Sequence, residues 1–270
     1  MNHKRLKTFE LEEIRQWIMS GISLNNIVKL TGKNKTTIYY YFRNIKGRTV
    51  NPIVVDESDD ELIGEFIGLF AGDGCFYKEI NGNYKIQLFF NITERKYVEE
   101  LKDVLIDLFG KPPRIDRRDN KFALVYYSKN IYTLIKRYLD WDETGRKTHS
   151  VHLREGVYTR EFKIGFLRGS LDSDGYFSDK KITFASSSNR LIENIGQFLK
   201  NLNIPFHYNE YIEKRLNRVN MHHINIRKPE RAGFIELINP RERKNIMKDY
   251  APAGTFMSER ANLPPRLLNS

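Results

Sequence analysis

Two stretches decide the reading of this chain, IGEFIGLFAGDGCF (Ile63–Phe76) and IGFLRGSLDSDGYF (Ile164–Phe177). Ile63, Gly64, Gly68, Asp73, Gly74 and Phe76 return as Ile164, Gly165, Gly169, Asp174, Gly175 and Phe177, each 101 positions later. A whole domain-sized unit is therefore repeated. Within each copy the small residues fall four apart: Gly64, Gly68 and Gly72, then Gly165, Gly169 and Ser173. Positions four apart share one helix face. A mid-helix glycine costs about 1 kcal/mol against alanine, so a stripe of them needs a packing reason. Close backbone approach of two helices supplies it, and the two helices are expected to pack on each other. Each ends in an aspartate followed by a glycine, a good helix stop. An acid at the negative end of the helix dipole is electrostatically misplaced, and two such carboxylates side by side repel. A divalent cation bound by carboxylates and nearby backbone carbonyls removes the conflict. The bland alternative is a pair of solvated helix ends.

FIGLFAGDG (Phe66–Gly74) and LRGSLDSDG (Leu167–Gly175) resemble the two LAGLIDADG motifs of the homing endonuclease family, and the resemblance runs over roughly Glu57–Tyr250. Ala71 departs from the signature, which often has an aspartate there. The resemblance implies an α+β fold of two pseudo-symmetric αββαββα halves forming antiparallel sheet saddles. Half one would span residues 58–140, an inter-half linker 141–158, half two 159–250 and a tail 251–270. It further implies Mg²⁺, with Mn²⁺ as a substitute, held by Asp73 and Asp174 with the carbonyls of Gly72 and Ser173. Lys147 lies 74 residues after Asp73, and Lys244 lies 70 after Asp174. Both are carried over as active-site bases or phosphate stabilisers. The implied reaction is hydrolysis of double-stranded DNA at a long site, one strand per half, leaving short 3′ overhangs.

The rest of each half reads the same way from its own residues. After the first motif come strands near Phe76–Ile80 and Tyr84–Ile92, a hairpin signal at Asn81-Gly82, and a helix capped by Thr93 that runs to Phe109. Strands near Arg114–Arg118 and Phe122–Tyr127 and a helix near Asn130–Leu139 complete the half. The second half repeats this with strands near Tyr176–Ser178, Lys181–Ser187, Phe206–Ile212 and Val219–Ile226, and helices near Arg190–Leu202 and Pro229–Ile238. Alternation puts Lys85, Gln87, Phe89 and Asn91 on one sheet face and Ile86, Leu88, Phe90 and Ile92 on the other. The polar face, with Arg114, Asp116 and Arg118 in the same phase, suits base edges in a major groove. In the second half Lys180, Ser186 and Arg215, with Asn220 and His222, are the corresponding candidates.

Upstream, residues 1–47 read as a separate domain whose pattern is helical from Thr8 to Ile45, with Phe9, Ile14, Trp17 and Ile18 at helical spacing, Gly21 as a break and Ser23 as an N-cap. Thr31-Gly32-Lys33-Asn34 is a tight turn before a last helix from Lys35 to about Asn44. Two short helices around a glycine turn predict a helix-turn-helix unit similar to those of resolvases and invertases. Its last helix would present Lys33, Asn34, Lys35, Thr36, Thr37 and Tyr40 to DNA. A three-helix packing module is the plainer alternative. Residues 48–57 read as a linker, and Ser58 with Glu61 as a capping box opening the next helix.

The composition limits the partners. The 270 residues carry 45 Lys and Arg against 34 Asp and Glu, a formal net charge of +11, which calls for a polyanion. One cysteine, Cys75, excludes an internal disulfide framework and a cysteine-based zinc site. His149, His152, His222 and His223 make no metal-ligand spacing. No apolar run reaches the roughly 20 residues of a membrane helix, and Met1–Glu10 lacks the apolar core of a signal peptide. The expectation is a cytoplasmic, nucleoid-associated monomer, since both motifs are on one chain, with double-stranded DNA as partner and no membrane. A non-cutting DNA-binding regulator and an intron-RNA maturase remain as alternatives.

Overall fold

The computed structural model describes residues 6–46, 53–80, 82–118, 120–142, 146–178, 180–212 and 219–241. The chain divides into two compact units, Met1–Pro52 and Ile53–Ser270.

The first unit holds three helices, α1 (Thr8–Met19), α2 (Leu24–Thr31) and α3 (Lys35–Lys46). Ser23 caps α2 by accepting from the Asn26 amide, and Gly32 ends it in the left-handed conformation at φ 62°. Ile14, Ile18, Ile27 and Ile38 form a small core flanked by Trp17, Leu24, Val28 and Phe42.

In the second unit, half one runs α4 (Asp60–Asp73), β1 (Gly74–Lys78), β2 (Tyr84–Asn91), α5 (Arg95–Phe109), β3 (Arg114–Arg118), β4 (Lys121–Tyr127) and α6 (Lys129–Tyr138). A crossing segment follows, with β5 (Leu139–Asp140), α7 (Lys147–Ser150) and β6 (His152–Leu153). Half two is α8 (Arg160–Asp174), β7 (Tyr176–Ser178), β8 (Lys181–Ser186), α9 (Asn189–Asn201), β9 (Phe206–Tyr211), β10 (Met221–Ile226) and α10 (Arg231–Ile238). Each half is thus αββαββα. The two four-stranded antiparallel sheets have matching orders, β1-β2-β4-β3 and β7-β8-β10-β9. α7 and β6 lie where only a linker was expected, and β5 takes the end of what was expected to be the last helix of half one.

Three local expectations need correction. The cap of α4 is Asp59, whose carboxylate accepts from the Leu62 amide at 2.9 Å. Ser58 instead donates to Asp56 at 2.6 Å, so Ser58 and Glu61 make no capping box. Thr93 does not cap α5 either: it sits inside a 3-10 turn (Ile92–Glu94) capped by Asn91. Gly74 and Gly175 leave their helices in extended conformation, φ −87° and −78°, and not in the left-handed cap. Their smallness serves space. A Cβ at Gly74 would strike the Phe70 ring, and one at Gly175 the Leu171 carbonyl at 2.5 Å.

The α4–α8 pair forms the centre of the second unit. A Cβ on Gly64 would overlap the Phe162 carbonyl and reach the Phe166 nitrogen at 2.9 Å. One on Gly165 would overlap the Glu61 carbonyl and reach the Glu65 nitrogen at 2.8 Å. Gly68 and Gly169 meet Phe166 and Glu65 in the same reciprocal way. The glycine stripe therefore does what its spacing predicts. At Gly64, Gly165 and Gly169 only backbone atoms of the other helix lie within reach of an added Cβ.

One feature of this interface was not read from the sequence. Glu65 is fully buried, and its carboxylate accepts from Arg168 Nη1 at 3.0 Å and from Arg241 Nε at 2.5 Å. Arg168 also donates to Glu61 at 2.5 Å and to the Ile238 carbonyl at 2.7 Å. A buried carboxylate held by two guanidiniums satisfies the rule that interior charges must be paired.

Candidate active site

The glycine contacts bring the C-terminal ends of α4 and α8 together. At Gly72 a Cβ would collide with the Ser173 hydroxyl and come within 2.9 Å of an Asp174 carboxylate oxygen. Asp73 and Asp174 are each the last helical residue. Asp73 is half-buried and Asp174 exposed, while Ser173 is buried with its hydroxyl donating to the Ser170 carbonyl at 3.2 Å.

Lys147 comes to this place from the crossing segment. Its ammonium donates to the carbonyls of Phe70 at 2.6 Å, Ala71 at 2.8 Å and Gly72 at 3.3 Å, and lies 4.9 Å from the Phe70 ring centre. These carbonyls carry the negative end of the α4 dipole. Burial pushes the lysine down to about 8, and the fields of Asp174, Cys75 and Asp73 hold it up. The Gly72 contact is the longest of the three, so that carbonyl keeps a lone pair directed elsewhere. Both roles carried over for this lysine, active-site base and phosphate stabiliser, stay open at this position. Cys75, half-buried beside this charge, has its thiol raised by burial. Lys244 and Arg215 lie outside the described residues.

Among the described residues no three of His, Cys, Asp or Glu gather into a metal-binding cluster. The available donors are carboxylate and carbonyl oxygens, the hard ligand type that suits Mg²⁺ or Mn²⁺.

The sheet faces away from the helices are built differently in the two halves. In half one Cys75, Tyr77, Lys85, Gln87, Phe89 and Asn91 share that face, as the register of β1, β2 and β4 requires. Lys85 and Gln87 are only 7% and 4% exposed. The Lys85 ammonium sits 5.5 Å from the Tyr77 ring and 5.9 Å from that of Tyr127, and the bond to Tyr77 raises its pKa. Asn91 is exposed, but its side chain accepts from the Thr93 amide at 3.0 Å. Arg114 is exposed and donates to Asp116 at 2.6 Å. Arg118 closes β3, and its side chain lies outside the described residues.

In half two the open face holds Lys181, Thr183, His223, Asn225, His207, Asn209 and Tyr211, with Thr183 donating to Asn225 at 2.8 Å. Most of these line a cleft of about 590 Å³. The sequence reading missed this set and chose Ser186, which is wrong in phase. Ser186 pairs with His222 on the helix side, is 6% exposed and accepts from the Ser188 amide at 3.0 Å. His222, bonded to the Tyr208 hydroxyl at 2.8 Å, lies on the same covered side. Burial and Lys181 hold His223 below the usual imidazole range. Lys180 is exposed in the β7–β8 turn, and Asn220 donates to Glu210 at 2.7 Å.

In the first unit Asn34, Lys35, Thr36 and Tyr40 are exposed, and Thr37 and Lys33 half-buried. Lys33 is drawn back to Glu10 at 2.8 Å, which lowers the Glu10 pKa.

Known proteins share this architecture. Residues 161–239 match the LAGLIDADG-like domain family. A structure of mesophilic variants of the homing endonuclease I-DmoI superposes with TM-score 0.53 at 16% identity, covering 68% of this chain and 99% of that one. A variant of I-DmoI in complex with its target DNA in the presence of Mg superposes with TM-score 0.52 at 18% identity, covering 69% and 99%. The fold is the LAGLIDADG fold. An uncharacterized protein of Methanocaldococcus jannaschii, MJ0398, is 24% identical over 193 residues, 69% of this chain. The match spans 64% of that relative's length.

Proposed function

We propose that this chain is a site-specific endonuclease that hydrolyses double-stranded DNA with a divalent metal ion. The observation that carries the reading is the meeting of the two motif ends, where Gly72 abuts Ser173 and Asp174, with the Lys147 ammonium fixed on the α4 carbonyls. Asp73 and Asp174, with the carbonyls of Gly72 and Ser173, would hold Mg²⁺ or Mn²⁺. Such an ion, when bound, polarises the phosphate and activates water. The chain's own residues do the rest. Lys147 places a charge where negative charge grows on the phosphate and the leaving oxygen. The two sheets orient the duplex, and the pseudo-twofold relation of α4 and α8 matches the opposed directions of the two strands. I-DmoI has been crystallised with DNA and Mn and with DNA and Ca, which supports a dependence on divalent metal here.

On this reading the half-two face of Lys181, His207, His223 and Asn225 reads base edges, with a neutral His223 offering one donor and one acceptor. Lys85 and Gln87 contribute less, because they are enclosed. The three helices of the first unit add contacts through Asn34, Lys35, Thr36, Thr37 and Tyr40 in the manner of a helix-turn-helix. That unit would serve a non-cutting regulator equally well.

The test is a randomised duplex library with Mg²⁺ or Mn²⁺, comparing the wild type with Asp174→Asn. Recurrent metal-dependent ends that vanish in Asp174→Asn, with DNA retention kept, are expected. Undiminished cutting by Asp174→Asn sinks the assignment. Retention of one sequence with no cutting by either protein favours the regulator.

A further inference from the structure

We infer that Ser187 is a positioning residue for Lys147, so that half two holds in place the lysine that serves half one. The inference rests on the reading of Lys147 as part of the site. Lys147 belongs to the crossing segment, and its ammonium reaches the end of α4 in half one. The segment around it is tied to the other half. Ser187 Oγ donates to the Thr148 carbonyl at 2.8 Å. Ser188, fully buried, donates to the Val151 carbonyl at 2.6 Å while capping α9. Asn194, on α9, accepts from the Leu153 amide at 2.8 Å. All three side chains come from the β8–α9 junction or from α9 itself.

Ser187 also bonds His149 Nδ1 at 2.8 Å. A hydroxyl has one proton, and it goes to Thr148, so His149 donates through Nδ1–H. Ser187 thus grips Thr148 and His149, the two residues after Lys147. Within α7 the Val151 amide closes on the Lys147 carbonyl at 2.8 Å. A single turn held this tightly moves as one piece, and a slip at Thr148 carries the ammonium off its three carbonyls. Ser188 is the less informative residue to change, because its loss also uncaps a core helix.

The experiment uses the full-length protein, with Ser187→Ala, Ser187→Thr, Lys147→Met and the double variant Ser187→Ala/Lys147→Met. The substrate is a duplex recovered from the library above. Ser187→Ala should slow single-turnover cutting by about tenfold to a hundredfold, the usual cost of misplacing a group by an ångström or less. DNA affinity and thermal midpoint should stay near wild type. Ser187→Thr, which keeps the hydroxyl, should recover the rate. In the Lys147→Met background Ser187→Ala should add nothing, because both changes remove the same interaction. Amide hydrogen exchange gives a readout free of activity: peptides covering 146–151 should exchange faster in Ser187→Ala alone. Full additivity with Lys147→Met, or unchanged exchange, overturns the proposal. If the wild type cuts no DNA, the nuclease reading fails and the exchange alone decides, faster exchange upholding the anchor and unchanged exchange refuting it.

Discussion

The two halves repeat each other's backbone and divide the charges between them. Gly64 lies against Phe162 and Phe166 just as Gly165 lies against Glu61 and Glu65, and these partners stand 101 positions apart like the glycines themselves. Several side chains beside them do not follow. The counterpart of Glu65 is Phe166, that of Arg168 is Ile67, and that of Asp172 is Ala71. Half one therefore buries a carboxylate and half two the guanidinium that answers it. The pseudo-twofold repeat keeps what the close approach of two helices demands, the absence of Cβ atoms, and also returns Ile63, Asp73 and Phe76. Glu65, Arg168 and Asp172 have no like counterpart, and the first two carry complementary charges. Two copies of α4 paired together would bury two Glu65 carboxylates with no Arg168 between them, an arrangement that buried charge does not tolerate.

The backbone side of this comparison is the easiest to break. Gly64→Ala and Gly165→Ala should each cost about 3 kcal/mol or more, since the added methyl meets a carbonyl and no flexible side chain can yield. Urea unfolding measures both, and unequal losses would show that the contacts are not truly reciprocal. The charge side comes next. Arg168→Leu should cost about 3 kcal/mol by leaving Glu65 short of a partner, and adding Glu65→Leu should recover part of it. A double variant worse than Arg168→Leu would contradict the pairing. For the sheets, Asn225→Ala should weaken DNA binding about tenfold, and Gln87→Ala, at an enclosed position, less than about threefold on the same scale. Equal losses in a filter-binding titration would erase the distinction between the two faces. The smallest effect belongs to the first unit. Ser23→Ala should lower its stability by about 1 kcal/mol, read as earlier loss of helical signal, and leave the unfolding of the second unit unchanged.

Much of this was legible because it is periodic. The stripes at Gly64, Gly68, Gly165 and Gly169 announce a helix pair, and β2 alternates cleanly enough to set its faces. Ser186 shows a signal that was present and misread: Ile182 and Phe184 point to the core, and Ser186 continues their phase. Glu65 and Arg168 gave no such signal. A charged residue inside an apolar helix announces a partner but not its place in the chain, and Arg241 stands 176 residues from Glu65. The grip of Ser187 on Thr148 joins the β8–α9 junction to the short α7 and follows no period at all. The role of Gly74 and Gly175 was misjudged because a glycine after a helix has two uses, a left-handed turn or bare room, and only coordinates separate them.

The bare stripe between α4 and α8 makes the molecule a gauge. Side chains can change rotamer and shift an interface by an ångström or more, but two peptide backbones in contact cannot be brought nearer or eased apart without losing the contact. The separation of α4 and α8 at Gly64, Gly68, Gly165 and Gly169 is set by the thickness of two polypeptide chains. Mutations elsewhere can reshape the sheets, yet the spacing of the two helix axes stays as narrow as the chain itself dictates.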